Sequence, residues 1–495
     1  EDASTPFDLG SGLLLRARLL AVSDAEHWLL ITHHHIASDG WSLSVLARDL
    51  SAFYNALRHG ASPRLAPLAA HYQDYAVWQR QRLSGERLKA LLDYWIPQLS
   101  DLEPLALPTD HPRPATPSHQ GAQMSFRIAA ARLAPLEDLC RSEGATLQMG
   151  LLALVATLLH RHSRQDDLAI GIPIWGRNHP DLEALIGYFI NTLAIRTRFS
   201  TDLSFRQLLG QIRASSTAAY DHQDLPFEQI VEALNLARDT SRNPLVQVML
   251  QLVELPPVSL SALDGLEVDG LATRGHAAKL DLSFKFRRSP DQGLEATITY
   301  ATDLFAPDRI ERLACHLQHL LASVLQSPDA AAASLAILPD SERALITAWQ
   351  HGPRIEAPQW CVHQLFEQQV QRSPDATALI FDDQQLTYRE LNARSNQLAE
   401  QLIALGVGTD VIVAVCLERS LELIIAILAV LKAGGAYLPI DASWPPARIA
   451  ALTQTASSFQ ITRAESAAAL QITAGDRVSS VMFDPFRASP SDRNP

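Results

Sequence analysis

The sequence contains few of the residues on which disulfide, metal and membrane structures depend. It has four cysteines in 495 residues, at positions 140, 315, 361 and 416, and no two of them form a CxxC pair. This spacing argues against a disulfide framework or a cysteine metal site, and it fits a reducing cytoplasm. The longest strongly apolar run, residues 423–431, is too short to span a bilayer.

Basic clusters and nucleotide-binding glycine loops are also lacking. Lys and Arg total 41 against 54 for Asp and Glu, which gives a net charge of −13. We therefore expect no nucleic-acid ligand. No phosphate-binding GxxxxGK[ST] motif occurs, and there is no initiator Met or signal peptide. These features, with the polar last residues 489–495, suggest a chain cut from a longer protein.

The composition is that of a globular α/β protein. Hydrophobic residues make up 47% of the chain and charged residues 19%, which is enough apolar side chain for sizeable cores. Apolar periodicity predicts alternating strands and helices in the first 330 residues. The predicted strands cover residues 28–36, 168–174, 185–196, 245–252 and 294–300; the predicted helices start at Ser42 or cover residues 147–160, 203–221, 227–234 and 307–325.

An Ala-rich stretch near residue 330 and a loop at 351–360 predict a domain boundary. After it, Thr387 and Glu390 have the spacing of a capping box at the start of a helix. A strand at 411–416, a helix capped by Ser420 and a strand at 436–440 follow. This order predicts a second α/β domain. We therefore expect domains at 1–330 and 359–495, joined by a linker at 331–358.

The motif that carries chemistry is HHIASDG at residues 34–40, at the end of a predicted strand. Histidine can accept or hold a proton near neutral pH, and a strand end holds it rigidly. Asp39 can orient an imidazole or bind an arginine, and Gly40 permits a close backbone approach or an amide directed at an oxyanion. The alternatives are surface histidines or a metal site, although consecutive strand residues face opposite ways and rarely converge on one ion.

Four further segments follow this motif in a recognisable order. The five together resemble the third to seventh signatures of the condensation domains of nonribosomal peptide synthetases. The four are residues 72–78 (YQDYAVW), 186–192 (IGYFINT), 222–228 (HQDLPFE) and 238–245 (RDTSRNPL). The resemblance covers residues 1 to about 330, and the first two signatures of the family are absent. For Trp78, Phe189, Pro226 and Phe227 we expect mainly core packing, with lining of the substrate channel as the alternative.

The resemblance implies a two-lobed fold like chloramphenicol acetyltransferase, with an incomplete N-terminal lobe, around a tunnel. Upstream and downstream peptidyl carrier proteins would present aminoacyl or peptidyl thioesters on 4′-phosphopantetheine arms from opposite faces. The acceptor amine would attack the donor thioester and form an amide. His35 maps to the catalytic position, His34 to a supporting position, Asp39 to a structural role and Gly40 to the tunnel wall.

Asp39 must be neutralised if it is buried, because an unpaired buried carboxylate is costly. Arg177 follows the predicted strand 168–174, and its guanidinium keeps its charge at any relevant pH. We therefore predict an Asp39–Arg177 pair that braces the motif. The competing interpretation makes Asp39 the general acid or base.

The segment after residue 359 resembles the start of adenylation domains. Residues 386–391 (LTYREL) look like their first core motif and residues 431–441 (LKAGGAYLPID) like their second. Both are structural, with Lys432 expected at a helix C-terminus where a cation suits the dipole. The ATP-phosphate loop of that family has no counterpart here, so ATP and Mg²⁺ are expected only with a complete adenylation domain.

The sequence therefore predicts a cytoplasmic, amide-forming condensation domain followed by the first part of an adenylation domain, with no membrane partner. An epimerisation domain shares HHxxxDG, but an adenylation start directly downstream favours condensation. A non-catalytic docking platform for carrier proteins is the alternative from another class. Intact His35 and Asp39 argue against it.

Overall fold

The computed structural model describes residues 5–10, 12–237, 239–253, 263–270, 276–353, 359–457, 459–463, 470–474, 477–483 and 494–495. They divide into two compact units, Glu1–Gln350 and His351–Pro495. The first unit contains these elements in chain order: β1 (Leu15–Ala21), β2 (His27–His33), α1 (Gly40–Arg58), α2 (Tyr72–Arg82), α3 (Gly85–Leu99), β3 (Gln120–Ile128), α4 (Ala130–Ser142), α5 (Leu147–Ser163), β4 (Asp167–Ile174), β5 (Asn191–Arg198), α6 (Phe205–Asp221), α7 (Phe227–Leu234), β6 (Val248–Val253), β7 (His276–Ala277), β8 (Leu282–Arg288), β9 (Leu294–Ala301), α8 (Pro307–Gln326) and α9 (Asp340–Gln350).

The core of the first unit lies against a mixed sheet with strand order β5-β4-β6-β8-β9-β3-β7. Period-two alternation buries one face of the central strands: Leu282, Phe284 and Phe286 of β8 are each 2% exposed or less. Helix α5 is apolar all round, and every residue from 149 to 160 is buried. It packs on β4, α6 and α8, which accounts for its continuous hydrophobic run.

A smaller part of this unit carries the histidine motif. Strands β1 and β2 pair antiparallel from Leu15↔His33 to Ala21↔His27, and α1 follows them. Leu15 and Leu19 of β1 are 50% and 68% exposed. The hairpin is therefore an apolar surface beside the motif.

The second unit is built on parallel pairing of β12 with β13 and β14. Its elements are α10 (Val362–Arg372), β10 (Thr377–Phe381), β11 (Gln384–Thr387), α11 (Tyr388–Ala404), β12 (Ile412–Cys416), α12 (Leu421–Lys432), β13 (Ala436–Ile440), α13 (Pro446–Ala456), β14 (Phe459–Arg463), β15 (Leu470–Ala474) and β16 (Arg477–Phe483). Thr387 and Glu390 form the predicted capping box, and Ser420 caps α12. The α/β class is confirmed for both units.

Several sequence predictions were wrong in detail. The strand predicted at 28–36 ends at His33, and α1 begins at Gly40 rather than Ser42, because the Asp39 side chain accepts a hydrogen bond from the Ser42 amide and caps the helix. Residues 185–190 are loop, since their buried side chains pack against α2 instead of into the sheet. Trp78 is 49% exposed and does not pack in a core.

Lys432 also differs from expectation. It ends α12 as predicted, but its side chain is fully buried and its Nζ donates to Asn392 Oδ1 at 2.6 Å and Asn396 Oδ1 at 2.5 Å. Glu367 Oε1 lies 3.3 Å away. Burial lowers the pKa of Lys432 to about 8, and Glu367 opposes that shift. The Lys432 side chain therefore connects α12 to α11 and α10 through polar contacts and is not a solvent-exposed cap.

Within the described ranges, no single helix is long and apolar enough to cross a bilayer. One bent pair, Ala130–Ser142 with Leu147–Ser163, passes by length and composition alone. Over the same residues the four cysteines are free and no cluster of His, Cys, Asp or Glu has the arrangement of a metal site.

Candidate active site

The two motif histidines lie at the start of a 3-10 turn between β2 and α1. His34 precedes the turn and His35 begins it, in the segment His35–Ala37. Ser38 and Asp39 then return to extended backbone, and Asp39 caps α1. The short turn places the two imidazoles in different surroundings. The hydrogen bonds of each ring therefore indicate its role.

The hydrogen bond of His35 defines its tautomer. His35 Nδ1 lies 2.6 Å from the backbone oxygen of Ser38. A carbonyl oxygen only accepts, so Nδ1 carries the proton and donates it. In the neutral ring Nε2 therefore has the free lone pair, and His35 is exposed to solvent. This arrangement suits an imidazole that receives a proton at Nε2.

His34 has the opposite arrangement. Its Nδ1 accepts a hydrogen bond of 3.1 Å from the backbone amide of Ile36. The lone pair of Nδ1 is thereby used, and in the neutral ring the proton sits on Nε2. His34 thus caps the turn and is not arranged as a base. His33, which precedes the motif, lies 2.5 Å through Nδ1 from Ser38 Oγ, and burial together with the nearby His35 lowers its pKa.

The structure brings Asp39 and Arg177 together. Arg177 Nη1 lies 2.6 Å from Asp39 Oδ2, and the two side chains are 2% and 0% exposed. The remaining carboxylate bonds come from the Ser42 amide at 2.9 Å, Ser42 Oγ at 2.8 Å and the Phe189 amide at 3.1 Å. Every direction around this carboxylate is therefore occupied by a donor.

The electrostatics of Asp39 follow from these contacts. Burial alone raises the pKa of its carboxyl, but the hydrogen bond and charge of Arg177 and the two bonds from Ser42 outweigh it, and the net pKa is lowered. Arg177 also donates to the carbonyls of Leu182 and Leu185, both at 3.2 Å. Asp39 remains ionised and enclosed, which favours a brace over proton transfer.

Gly40 lies against a tryptophan. A Cβ at this position would be 3.1 Å from the Trp175 ring, tighter than ordinary van der Waals contact. Trp175 precedes Gly176, whose φ of 63° is in the left-handed region that favours glycine. That turn leads from β4 to Arg177, so the shape of this loop delivers both the Trp175 ring and the arginine to the motif.

The loop at residues 186–191 connects the other motifs to this site. The Tyr72 hydroxyl donates to the carbonyl of Tyr188 at 2.8 Å, and the Tyr72 ring occupies the space that a Cβ on Gly187 would need. The Gly187 amide donates to Ser42 Oγ at 3.1 Å. The Tyr188 ring then meets His35 edge-on, with ring centroids 5.3 Å apart.

Asn191 joins this loop to residues 222–228. Its Nδ2 donates to the carbonyls of Gln223 at 3.0 Å and Leu225 at 2.8 Å, and its Oδ1 accepts from the Phe227 amide at 2.9 Å. One amide side chain thus satisfies three backbone groups of a separate motif. Four of the five segments, at residues 34–40, 72–78, 186–192 and 222–228, therefore form one hydrogen-bonded assembly around Asp39 and His35.

Sequence reasoning did not single out Ser38, Ser42, Tyr188 or Asn191 as site residues. Tyr188 and Asn191 fall within the quoted segment 186–192, which was interpreted mainly as core packing. The alternation of glycine, aromatic and asparagine in IGYFINT is unusual for a buried strand and was the available signal. Ser42 was recognised only as a helix start.

The first unit is thus an α/β domain in which a turn-held imidazole lies near a braced aspartate. Two known protein families match separate parts of the chain. The family described as "Condensation domain" matches residues 1–347, and "AMP-binding enzyme" matches residues 366–491. The chain belongs to the condensation-domain family and continues into the start of an AMP-binding domain.

The relatives are large synthetases. The chain is 44% identical over 460 residues to a linear gramicidin synthase protein of Brevibacillus parabrevis, a match that covers 92% of this chain but 6% of that protein. It is 41% identical over 477 residues to a dimodular nonribosomal peptide synthase of Bacillus subtilis, covering 93% of this chain and 20% of that one. The chain therefore spans a small fraction of the length of these curated relatives. The predicted kinship with nonribosomal peptide synthetases is confirmed.

Solved structures agree. A crystal structure of a holo four-domain nonribosomal peptide synthetase bound to AMP and glycine matches 99% of this chain and 38% of that one, with a TM-score of 0.82 and 25% identity. The X-domain of teicoplanin biosynthesis, in complex with OxyB, matches 68% of this chain and 75% of that one, with a TM-score of 0.61 and 35% identity. The domain boundaries predicted at residues 330 and 359 stay predictions.

Proposed function

We propose that the first unit forms an amide between two carrier-protein-bound thioesters, with His35 as the catalytic residue. The observation that carries this proposal is the hydrogen bond from His35 Nδ1 to the Ser38 carbonyl, because in the neutral ring it leaves the lone pair of Nε2 free on an exposed side chain. A general base needs that combination of a fixed tautomer and an accessible lone pair.

The reaction is an acyl transfer from sulfur to nitrogen. The acceptor amine attacks the donor thioester carbonyl, a C–N bond forms, and the C–S bond breaks to release a thiol. His35 Nε2 takes the proton that the attacking nitrogen must lose and returns it to the departing sulfur. Because free α-amines have a pKa of about 8, an appreciable fraction of the amine is already neutral. The base therefore acts on the proton lost after attack, a step that contributes ~10²–10⁴-fold.

Asp39, His34 and Gly40 support this step without entering it. The Asp39–Arg177 pair fixes the start of α1 and the loop that carries Tyr188. The His34 ring caps the turn that presents His35. Gly40 leaves room for the Trp175 ring beside the site. Positioning of this kind contributes as much as the base itself when two reactants must be aligned.

The substrates and partners follow from the same proposal. Upstream and downstream peptidyl carrier proteins supply the two acyl groups on 4′-phosphopantetheine arms. The second unit contributes amino-acid adenylation, with ATP and Mg²⁺, only as part of a complete adenylation domain.

The proposal is tested in the parent protein that carries this segment. Donor and acceptor carrier proteins are loaded enzymatically, mixed, and followed by intact mass of the acceptor carrier. Wild type should gain the donor acyl group, and His35→Ala should lose most of this transfer while both carriers remain loaded. Transfer by His35→Ala within a few-fold of wild type would overturn the catalytic assignment.

The same assay separates two other functions. Inversion at the donor α-carbon without amide formation would indicate epimerisation. A wild type that binds another protein but transfers nothing would indicate a docking role, and the solved complex of the related X-domain with OxyB motivates including that arm. The AMP-binding match that directly follows the condensation match favours amide formation over epimerisation, and the free Nε2 of a neutral His35 favours catalysis over a docking role.

A further inference from the structure

The aromatic ring of Tyr188 contacts the imidazole of His35, the proposed base. Its ring lies at 82° to the His35 imidazole with centroids 5.3 Å apart, an edge-to-face geometry. The Ser38 carbonyl limits the same imidazole through Nδ1. Rotation of the His35 ring about its Cβ–Cγ bond would break one contact and disturb the other.

The backbone that carries Tyr188 is pinned at three consecutive residues. The Gly187 amide donates to Ser42 Oγ at 3.1 Å, the Tyr188 carbonyl accepts from the Tyr72 hydroxyl at 2.8 Å, and the Phe189 amide donates to Asp39 Oδ2 at 3.1 Å. Helix α1, helix α2 and the cap of α1 thus each hold one residue. A ring mounted on such a segment is preorganised rather than adaptable.

The side chain itself is not simply core. Tyr188 is 37% exposed, whereas its neighbour Phe189 is 4% exposed and packs with Leu182 and Leu185. Burial raises the pKa of the Tyr188 phenol, and the charge of Glu228 adds to that shift, so the phenol stays neutral at working pH. The aromatic ring therefore faces the exposed imidazole without bringing a charge to it.

We infer that Tyr188 is a positioning residue for condensation, whose ring holds the His35 imidazole in the orientation and tautomer that leave Nε2 free. This inference rests on the proposed function of His35 and deepens it. Tyr188 acts through His35 and not by binding the acyl groups, so its loss should lower the turnover rate with little change in the KM for either carrier protein.

The first measurement does not need activity. The chain is labelled with ¹⁵N only in its histidine rings, and His35 is assigned by its loss in His35→Gln. Wild type should show His35 protonated at Nδ1. Tyr188→Leu should move His35 toward a mixture of tautomers, and Tyr188→Phe, which keeps the ring, should restore the wild-type signals.

The second measurement is single-turnover condensation in the parent protein. Tyr188→Leu should lower the rate about three- to tenfold, the range expected from one lost aromatic pair, while Tyr188→Phe stays within about twofold of wild type. Phe199→Leu is the matched control, because Phe199 follows the end of β5 opposite Asn191 and stacks on His160 with ring centroids 4.2 Å apart. It should leave both the His35 spectrum and the rate unchanged.

The outcomes are separable. An unchanged His35 spectrum in folded Tyr188→Leu overturns the inference, as does an equal rate loss in Tyr188→Phe, which would assign the effect to the hydroxyl. If Tyr188→Leu does not fold, Tyr188→Met supplies an unbranched side chain of similar length for the same two readouts. A wild type without condensation defeats the proposed function, while the ring spectra still decide the role of Tyr188.

Discussion

Breaking the Asp39–Arg177 ion pair should markedly lower the free energy of unfolding of the first unit, whatever its effect on the reaction rate. Asp39→Asn keeps the shape of the side chain but removes its charge, and it strands a guanidinium that is 2% exposed. Arg177→Gln strands a carboxylate that is fully buried. Loss of one member of a buried pair costs ~3–5 kcal/mol, because the other charge stays uncompensated.

The assay is a double-mutant cycle in which urea denaturation measures the free energy of unfolding of the first unit for each variant. The double variant should be less destabilised than the sum of the singles by at least about 2 kcal/mol, since each single variant already strands a charge. Asp138→Asn is the matched control, because Asp138 pairs with Arg141 at 2.7 Å with both side chains about 70% exposed. That exposed pair should be worth less than ~1 kcal/mol.

Two results would refute this reasoning. Additive effects at Asp39 and Arg177 would show that the ion pair is not the source of the stability. A fully stable but inactive Asp39→Asn would move Asp39 into the chemical step. The pH dependence of stability adds a check. Because the pKa of Asp39 is lowered in the folded state, Asp39 stabilises the unit above the unfolded pKa of about 3.9, and this stabilisation disappears as the pH falls through the folded pKa. Asp39→Asn should not show this loss of stability at acid pH.

The other predictions concern packing and the second unit. Gly187→Ala should cost ~1–3 kcal/mol, because its Cβ would overlap the Tyr72 ring, whereas Gly210→Ala in α6, where a Cβ meets nothing within 4 Å, should be neutral or stabilising; equal melting temperatures would contradict the packing argument. For Lys432, with a folded pKa lowered to about 8, the unfolded chain holds the proton longer, so the stability of the second unit should rise between about pH 8 and pH 10.5. Lys432→Met should remove that rise, and a rise that persists in the variant would assign it to another group.

Local patterns in the sequence predicted the elements whose stability is local. Helix α7 runs from Phe227 to Leu234, as its apolar spacing indicates, and α11 begins after the Thr387 cap. The buried run of α5 was equally plain, because a helix surrounded by β4, α6 and α8 can be apolar on all sides.

Errors arose where tertiary contacts decide the outcome. Residues 185–190 are as apolar as a strand, but Tyr72 and Tyr75 of α2 bury Leu185 and Phe189 within a loop. The environment of Lys432 depends on Asn392 and Asn396 of another helix. The residues next to these positions in the sequence do not indicate which distant side chains they will contact.

The site was predictable in part. The resemblance to condensation domains predicted the roles of His35 and Asp39, and the need to neutralise a buried carboxylate predicted the pairing with Arg177. The tautomers of the two histidines were not predictable, because they depend on whether a carbonyl or an amide faces each Nδ1. Tyr188 lies far along the chain from His35, and only the folded structure brings the two rings together.

The measurement that tests the central claim most directly is the single-turnover condensation rate of His35→Gln beside that of His34→Gln, in the parent protein with both carrier proteins loaded. The opposite hydrogen bonds of the two imidazoles predict an asymmetric result. His35→Gln should lose ~10²–10⁴-fold in rate, and His34→Gln less than about tenfold if it remains folded. A folded His34→Gln as slow as His35→Gln, or a His35→Gln that keeps its rate, would contradict the account.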